Sequence, residues 1–296
     1  MEALVREALQ CSTLSKFGRG GGGCINEGQG YVADNNKIFV KRNSKDKAKQ
    51  MFDGEFASLK EMDATNTIKV PRPIKVIANP EGGALLVTDY INMTSGSRYE
   101  VEFGTQLAQM HLYNSEILKP EGERASWFVP STDLDKPVVK FGFHINTCCG
   151  YIPQDNHWSE DWVELILKNR KDKDLIESWA ELRKKIPVFF EGHPPIVPAL
   201  LHGDLWSGNW SETTKEPVIF DPASFYGHSE YEFGIVTMFG GMRSATLDAY
   251  HQLIPKATGF EQRVKLYQLF HHLNHWNHFG SGYRESSLSL MRDLSR

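Results

Sequence analysis

The run His202-Gly203-Asp204-Leu205-Trp206-Ser207-Gly208-Asn209, followed by Asp221-Pro222-Ala223-Ser224, constrains this chain more than any other stretch. Asn209 stands five positions after Asp204, and Asp221 twelve after Asn209. Two acids and an amide in that order can form a phosphoryl-transfer centre. Asp204 can accept the proton of a substrate hydroxyl. Asn209 and Asp221 offer oxygen ligands to Mg²⁺, a hard cation that keeps some of its waters. Short apolar runs precede both parts of the motif, Val197 to Leu201 and Pro217 to Phe220, and predict strands that deliver these residues to one place.

Upstream, the pattern is β-rich. Met1 to Gln10 reads as a short amphipathic helix. Lys16 to Gly23 is dense in glycine and is expected to be loop. Cys24 to Tyr31 and Lys37 to Lys41 read as strands around the Asp34-Asn35-Asn36 turn. Lys45 to Met62 reads as a helix, with Ala48, Met51, Phe52, Phe56 and Leu59 near helical spacing. Ile74 to Ala78 and Ala84 to Asp89 are two further strands flanking a glycine-containing turn. From Ser97 the pattern is helical, over Phe103 to Tyr113, Trp158 to Lys168, Leu175 to Lys185 and three or four helices beyond Tyr231. Glu121 to Lys136 is polar, broken by prolines, and reads as surface loop. The expected fold is α+β and two-lobed: residues 1–91 a β-rich, nucleotide-binding lobe and residues 92–296 a mainly helical, catalytic and substrate-binding lobe.

A cation must also sit on the nucleotide phosphates. Lys41 ends the strand Ile38-Phe39-Val40-Lys41, and Glu55 lies fourteen residues on, where the following helix can pair it with the ammonium. Gly22 and Gly23, with Cys24, precede that strand and can bring backbone N–H groups close to phosphate. The run does not match the Walker pattern, which disfavours a P-loop NTPase. Asp89, Tyr90 and Ile91 fall where the lobes join, and the Asp89 carbonyl and Ile91 amide are candidates to hold adenine. The spacing of Asp204, Asn209 and Asp221 matches the protein-kinase catalytic loop. Gly203 in place of the usual Arg, and Asp-Pro-Ala in place of Asp-Phe-Gly, point away from protein substrates. They point to the branch that phosphorylates small molecules, such as the aminoglycoside and choline kinases.

The formal net charge of −4 is spread over interspersed signs with no polybasic block, which argues against nucleic acid or an anionic membrane as partner. No apolar run reaches membrane-spanning length. Four cysteines without a Cys-x-x-Cys pair make neither a disulfide framework nor a zinc knuckle, so a reducing, cytoplasmic setting is expected. Cys24, in the loop expected to cover the phosphates, is a redox candidate whose oxidation would link two chains or alter ATP binding; otherwise the chain is expected to be a monomer. Cys148 and Cys149 read as packing residues. His271, His275 and His278 share a helical face, yet nothing resembling His-Glu-x-x-His accompanies them. They read as buried or sugar-contacting histidines rather than zinc ligands.

Over nearly its whole length the chain resembles the fructosamine 3-kinase/ketosamine 3-kinase family. The resemblance is carried by Leu201 to Asn209, Phe220 to Glu230, Gly22-Gly23-Cys24-Ile25, Met51 to Glu55, Phe141-Gly142-Phe143-His144, Thr147-Cys148-Cys149-Gly150 and Leu273 to Gly280. It is weakest over Glu121 to Lys136. The resemblance implies a protein-kinase-like fold similar to the aminoglycoside phosphotransferases. It also implies ATP- and Mg²⁺-dependent phosphorylation of the 3-hydroxyl of ketosamine adducts on small molecules or glycated proteins. The product falls apart and frees the amine, which is deglycation. Carried over, Asp204 is the proton acceptor, Asn209 and Asp221 bind Mg²⁺, Lys41 and Glu55 position phosphates, and Glu232 anchors the catalytic loop. Selecting one sugar hydroxyl needs polar groups and a stacking face. Trp206, His144, His275, Trp276 and His278 are the candidates for that wall. Two alternatives stand beside this expectation: a kinase of another small hydroxyl compound, and a kinase-fold protein that binds without turnover.

Overall fold

The computed structural model describes residues 1–22, 26–134, 136–168 and 176–296. Helix α1 (Glu2–Leu9) ends where Gln10 turns left-handed, and its buried Val5 joins a small core under a five-stranded antiparallel sheet. The strands are β1 (Leu14–Gly22), β2 (Glu27–Ala33), β3 (Asn36–Asn43), β4 (Pro73–Ala78) and β5 (Ala84–Asp89), in the order β1-β2-β3-β5-β4.

The stretch from Lys16 to Gly22, expected as loop, is strand. It pairs with β2 from Leu14 opposite Ala33 to Gly22 opposite Glu27, with the register shifting between Phe17 and Gly21. A ladder needs only backbone groups, and Gly18 supplies the positive φ of 69° at the irregularity. The glycines of β2 are also spoken for: a Cβ on Gly28 would lie 2.4 Å from the Phe39 ring. Strand β2 begins at Glu27, and Asn26 before it is not strand. Gly23, Cys24 and Ile25 lie outside the described residues, and so does the redox expectation for Cys24.

Between β3 and β4 runs α2 (Ala48–Thr65), which buries Met51, Phe52, Glu55, Leu59 and Met62. It lies so close to the segment after Phe143 that a Cβ on Gly54 would sit 2.7 Å from the Asn146 carbonyl oxygen. The remaining chain is mostly helical. Helix α3 (Glu100–Leu118) runs longer than its apolar pattern, with Glu100 and Glu102 favourably placed in its first turn. The Glu212 carboxylate receives the N–H groups of Arg98 and Tyr99 just before it.

Two residues each form β6 (Cys148–Cys149) and β7 (Ile152–Pro153), which pair as a hairpin. Helices α4 (Trp162–Lys168) and α5 (Ile176–Lys185) follow. The first starts four residues later than predicted because Ser159 is still bridged to Phe141, and Asp161 caps the helix by accepting the Glu164 N–H. Short strands β8 (Ala199–Leu201), β9 (Trp210–Glu212), β10 (Pro217–Ile219) and β11 (Phe225–Gly227) pair as β8 with β11 and β9 with β10. The chain finishes in α6 (Glu232–Phe239), α7 (Ser244–Leu253), α8 (Phe260–Phe279) and α9 (Arg284–Leu294).

One apolar core joins the two parts: Phe52, Leu59 and Met62 of α2 meet Phe103 and Leu107 of α3 and Leu200, Ile219 and Phe225 of the short strands. The sites that β8 and β10 deliver are thus held from both sides by packing. The described residues between Glu121 and Lys136 are irregular apart from two 3-10 turns, as the composition predicts. Among the described residues no helix is long and apolar enough to cross a membrane.

Candidate active site

Strand β8 runs directly into His202. The backbone N–H groups of His202 and Gly203 donate to the two carboxylate oxygens of Glu232 at 2.6 and 2.9 Å. Burial opposes a charge on Glu232, but His111 and the loop amides outweigh it and hold the carboxyl below its usual range. His111 in turn is fixed through its other ring nitrogen by the Tyr250 hydroxyl at 2.7 Å.

The His202 ring is a second tie. Its Nε2 donates to the Phe220 carbonyl at 3.0 Å and its Nδ1 accepts the Asp204 N–H at 3.2 Å. That tautomer requires a neutral ring, in keeping with the lowered pKa that burial imposes. The His202 carbonyl also accepts the Ala223 N–H. A single buried histidine therefore links the loop carrying Asp204 to the segment carrying Asp221.

Asp204, Asn209, Asp221, Lys41 and Glu55 come together. Asn209 Nδ2 donates to the Asp204 carbonyl at 2.8 Å and to its carboxylate at 3.2 Å, which leaves the Asn209 Oδ1 as its oxygen ligand. Lys41 Nζ bonds Glu55 Oε1 at 2.5 Å and also the Asp221 carboxylate. One ammonium thus sits between two carboxylates. Burial disfavours the Lys41 charge, but Asp221 and Glu55 outweigh it, so its pKa is raised. Burial, helped by the nearby charge of Asp221, pushes Glu55 up to about 7 against the pull of Lys41. Asp204 is pushed up to about 8, by burial first and then by the charges of Asp221 and Glu232.

Asp221 has φ of 61°, a left-handed conformation unusual for a residue with a side chain. It keeps 43% of its side chain exposed. Together with the Asn209 amide oxygen it forms a hard, oxygen-only donor set that fits Mg²⁺. Gly22 ends β1 opposite Glu27. At the end of β5, Asp89 exchanges hydrogen bonds with the Arg72 backbone, and its carbonyl accepts the Thr88 hydroxyl. The Tyr90 ring stands edge-on to Phe17 at 4.6 Å, and Ile91 continues the irregular link toward α3.

The candidate substrate residues divide. Trp206 is 37% exposed and lies edge-to-face with Phe239 at 6.0 Å; the His275 ring is tilted against Phe239, 4.9 Å away. His278 Nε2 accepts the Tyr151 N–H at 3.3 Å, beside the β6–β7 turn. Trp276 is partly buried and packs against the cluster that contains Leu182, Leu273 and Met291 of α9. His144 pairs with Glu61 of α2 at 3.1 Å. His275 and His278 both donate from Nδ1 to the carbonyl four residues back, which orients them as ordinary helix-surface histidines.

Two features escape the sequence pattern. Cys149, read as packing, accepts the Asn274 Nδ2–H on its sulfur at 3.1 Å, and burial, with the Asp204 charge, raises its pKa far above the usual range. His193, His228 and Glu230 lie within metal-binding reach of one another. There, however, Arg263 already grips both oxygens of Glu230 at 2.7 and 2.8 Å, and the group is charge-balanced without an ion.

The sheet, the bridging lysine and the acid–amide–acid loop define a kinase of the protein-kinase-like fold, in the form shared with aminoglycoside phosphotransferases. The chain belongs to the fructosamine kinase family, whose model matches residues 2–296. It is 49% identical over 313 aligned positions to the ketosamine-3-kinase of Mus musculus, covering all of both chains. It is 38% identical to the chloroplastic protein-ribulosamine 3-kinase of Oryza sativa subsp. japonica, over 93% of this chain and 78% of that one. A provisionally assigned fructosamine-3-kinase of Haemophilus somnus 129PT has the same fold, with a TM-score of 0.76 at 20% identity over 99% of this chain and 96% of the other.

Proposed function

We propose that the chain transfers the γ-phosphoryl group of ATP to the 3-hydroxyl of ketosamines, fructosamine, ribulosamine or psicosamine adducts on small amines and proteins, and so starts their deglycation. The observation that carries this reading is the convergence of Asp204, Asn209, Asp221, Lys41 and Glu55 in a chain 49% identical to a ketosamine-3-kinase.

In this reading the nucleotide lies between residues 1–91 and residues 92–296. Gly22 approaches its phosphates, and the backbone of Asp89, Tyr90 and Ile91 receives the adenine. Asn209 and Asp221 hold Mg²⁺, which when bound neutralises charge on the phosphate oxygens. Lys41, kept protonated by Glu55, faces the same phosphates. Asp204 accepts the proton of the sugar hydroxyl while that oxygen bonds to the γ-phosphorus and the bond to ADP breaks. Trp206, with His275 against Phe239 and His278 by the β6–β7 turn, lines the acceptor side. The setting is cytoplasmic.

The test is ATP consumption with a fructosamine, a ribulosamine and an aminoglycoside side by side, with and without Mg²⁺. Metal-dependent turnover of the two ketosamines alone is the expected result. Turnover of the aminoglycoside alone, or of none, overturns the reading.

A further inference from the structure

Asn209 and Asp221 flank the β9–β10 hairpin, and the Phe220 N–H closes its open end by donating to the Asn209 carbonyl at 3.0 Å. Both outer edges of this hairpin are bonded to chain from elsewhere. Along β10, Val218 bridges to Lys69, in the stretch between α2 and β4, and the Ile219 N–H donates to the Lys69 carbonyl at 3.0 Å. Along β9, Glu212 bridges to Thr94, in the link that leaves β5. The Thr94 N–H and hydroxyl both donate to the Glu212 carbonyl, at 2.7 and 3.1 Å. The Ser211 hydroxyl donates back to the Thr94 carbonyl at 3.1 Å.

The Glu212 side chain adds a second tie. It is 5% exposed, and its Oε2 takes the N–H groups of Arg98 and Tyr99 at 2.9 and 3.3 Å. Neither group has a partner inside α3. Gly96 leaves the carboxylate its place, since a Cβ there would stand 1.9 Å from Glu212 Oε1. Beyond it, the Tyr99 hydroxyl donates to the Thr214 carbonyl at 2.8 Å, and Phe103 stacks on Trp210 at 4.5 Å. The link from Thr94 to Tyr99 is thus fastened around one residue. Glu212 stands three positions after Asn209, and Thr94 three after Ile91.

We propose that Glu212 is a positioning residue: by seating the link on β9, it holds the backbone that receives adenine and the Asn209–Asp221 pair in one fixed relation. This rests on the reading of Asp89 to Ile91 as the adenine site and of Asn209 and Asp221 as metal ligands. A nucleotide spans both places. Its base and its phosphates then meet partners already spaced for them, and less ordering is left to be done on binding.

The test compares the full chain with Glu212→Ala, Glu212→Gln and Gly96→Ala. Glu212→Ala is expected to raise KM for ATP about tenfold and to leave KM for the ketosamine unaltered. Glu212→Gln keeps an oxygen that can accept both N–H groups, and should bring KM for ATP back to within about twofold. Gly96→Ala keeps Glu212 but pushes its carboxylate from its seat, and it changes an exposed residue that the fold does not bury. It should raise KM for ATP in the same direction, and add nothing once Glu212 is already Ala. A role in folding alone would lower the melting temperature of these variants and leave KM for ATP where it was.

A second readout needs neither metal nor turnover. Adenosine has no phosphate to act on Asn209 and Asp221, so its effect on the hairpin is carried by the link. In the unaltered chain it is expected to slow hydrogen exchange at the Ile219 and Phe220 amides by about 3- to 10-fold, and in Glu212→Ala by less than about twofold. Exchange indifferent to adenosine in the unaltered chain, or slowed equally in Glu212→Ala, overturns the inference. So does a folded Glu212→Ala variant with unchanged KM for ATP. If the unaltered chain phosphorylates no ketosamine, it is the proposed substrate that fails, and the adenosine experiment still decides whether Glu212 joins the link to the hairpin.

Discussion

Gly203 lies so close to Ala223 that a Cβ built on it would stand 2.3 Å from the Ala223 carbonyl oxygen. Its φ is 82°, in the left-handed region. The glycine that replaces the Arg of protein kinases is therefore a requirement of this backbone. The segments bearing Asp204 and Asp221 pass each other at contact distance, joined by the Ala223 N–H bond to the His202 carbonyl.

Gly203→Ala is accordingly expected to combine a strained φ with a steric clash. A loss of about 2–4 kcal/mol in unfolding free energy should accompany a large fall in kcat. Chemical denaturation and steady-state kinetics on the same variant check this. An unchanged denaturation midpoint would mean the two segments separate more easily than their contact allows.

Lys41 and Glu55 separate a structural cost from a functional one. Lys41→Met leaves Glu55 buried without its cation and should destabilise by about 3–5 kcal/mol. The double variant Lys41→Met/Glu55→Leu replaces both charges with apolar volume and should regain most of that loss. It should remain inactive, because no cation is left to face the phosphates. Recovery of stability without activity, by thermal melts and ATP turnover, is the expected pattern; recovery of both would remove Lys41 from the phosphate site.

Much of this site is legible in the amino-acid sequence. Asp204, Asn209 and Asp221 follow one another at fixed spacing in a local loop, and Lys41 and Glu55 stand on adjacent elements, a strand and the next helix. Both are short-range patterns. Helix α2 is legible for the same reason, since its buried residues recur at helical spacing. Strand β1 is not, because glycine lacks the side chain that strand periodicity is read from, while the ladder uses the backbone alone. Cys149 escapes for a different reason. Its hydrogen-bond partner, Asn274, stands 125 residues from it. Nothing local distinguishes such a thiol from a packing residue. His202 likewise reads as part of the motif but shows its two hydrogen bonds only in three dimensions.

Trp206 and Trp276 should respond oppositely to truncation. Trp206 is partly exposed beside the catalytic loop, so Trp206→Ala should raise KM for the ketosamine about tenfold with a small change in melting temperature. Trp276 is partly buried against the cluster that contains Met291 of α9, with the Arg284 guanidinium 5.9 Å from its ring. Trp276→Ala should cost about 2–3 kcal/mol of stability and leave KM nearly unaltered. Kinetics and melting of the two variants in parallel decide it; a KM effect confined to Trp276 would reverse the assignment.

Asp204 supplies a pH prediction whose sign follows from its environment. In the unfolded chain its carboxyl titrates near 4, and in the folded chain it is pushed up to about 8. Between those values the folded state binds more protons than the unfolded one. Stability without nucleotide and Mg²⁺ therefore falls as pH rises through that window. Asp204→Asn removes the ionisation but keeps the shape and an acceptor for Asn209. The variant should be more stable than the unaltered chain at pH 8, by about 1–2 kcal/mol, with the gain vanishing below pH 4. Its turnover should fall by about 10²- to 10⁴-fold through loss of the base. Urea denaturation at pH 5 and pH 8, with kinetics at the upper value, measures both effects. Equal stability of the two proteins at every pH would show that Asp204 is as well solvated folded as unfolded, and full activity of the variant would remove it as proton acceptor.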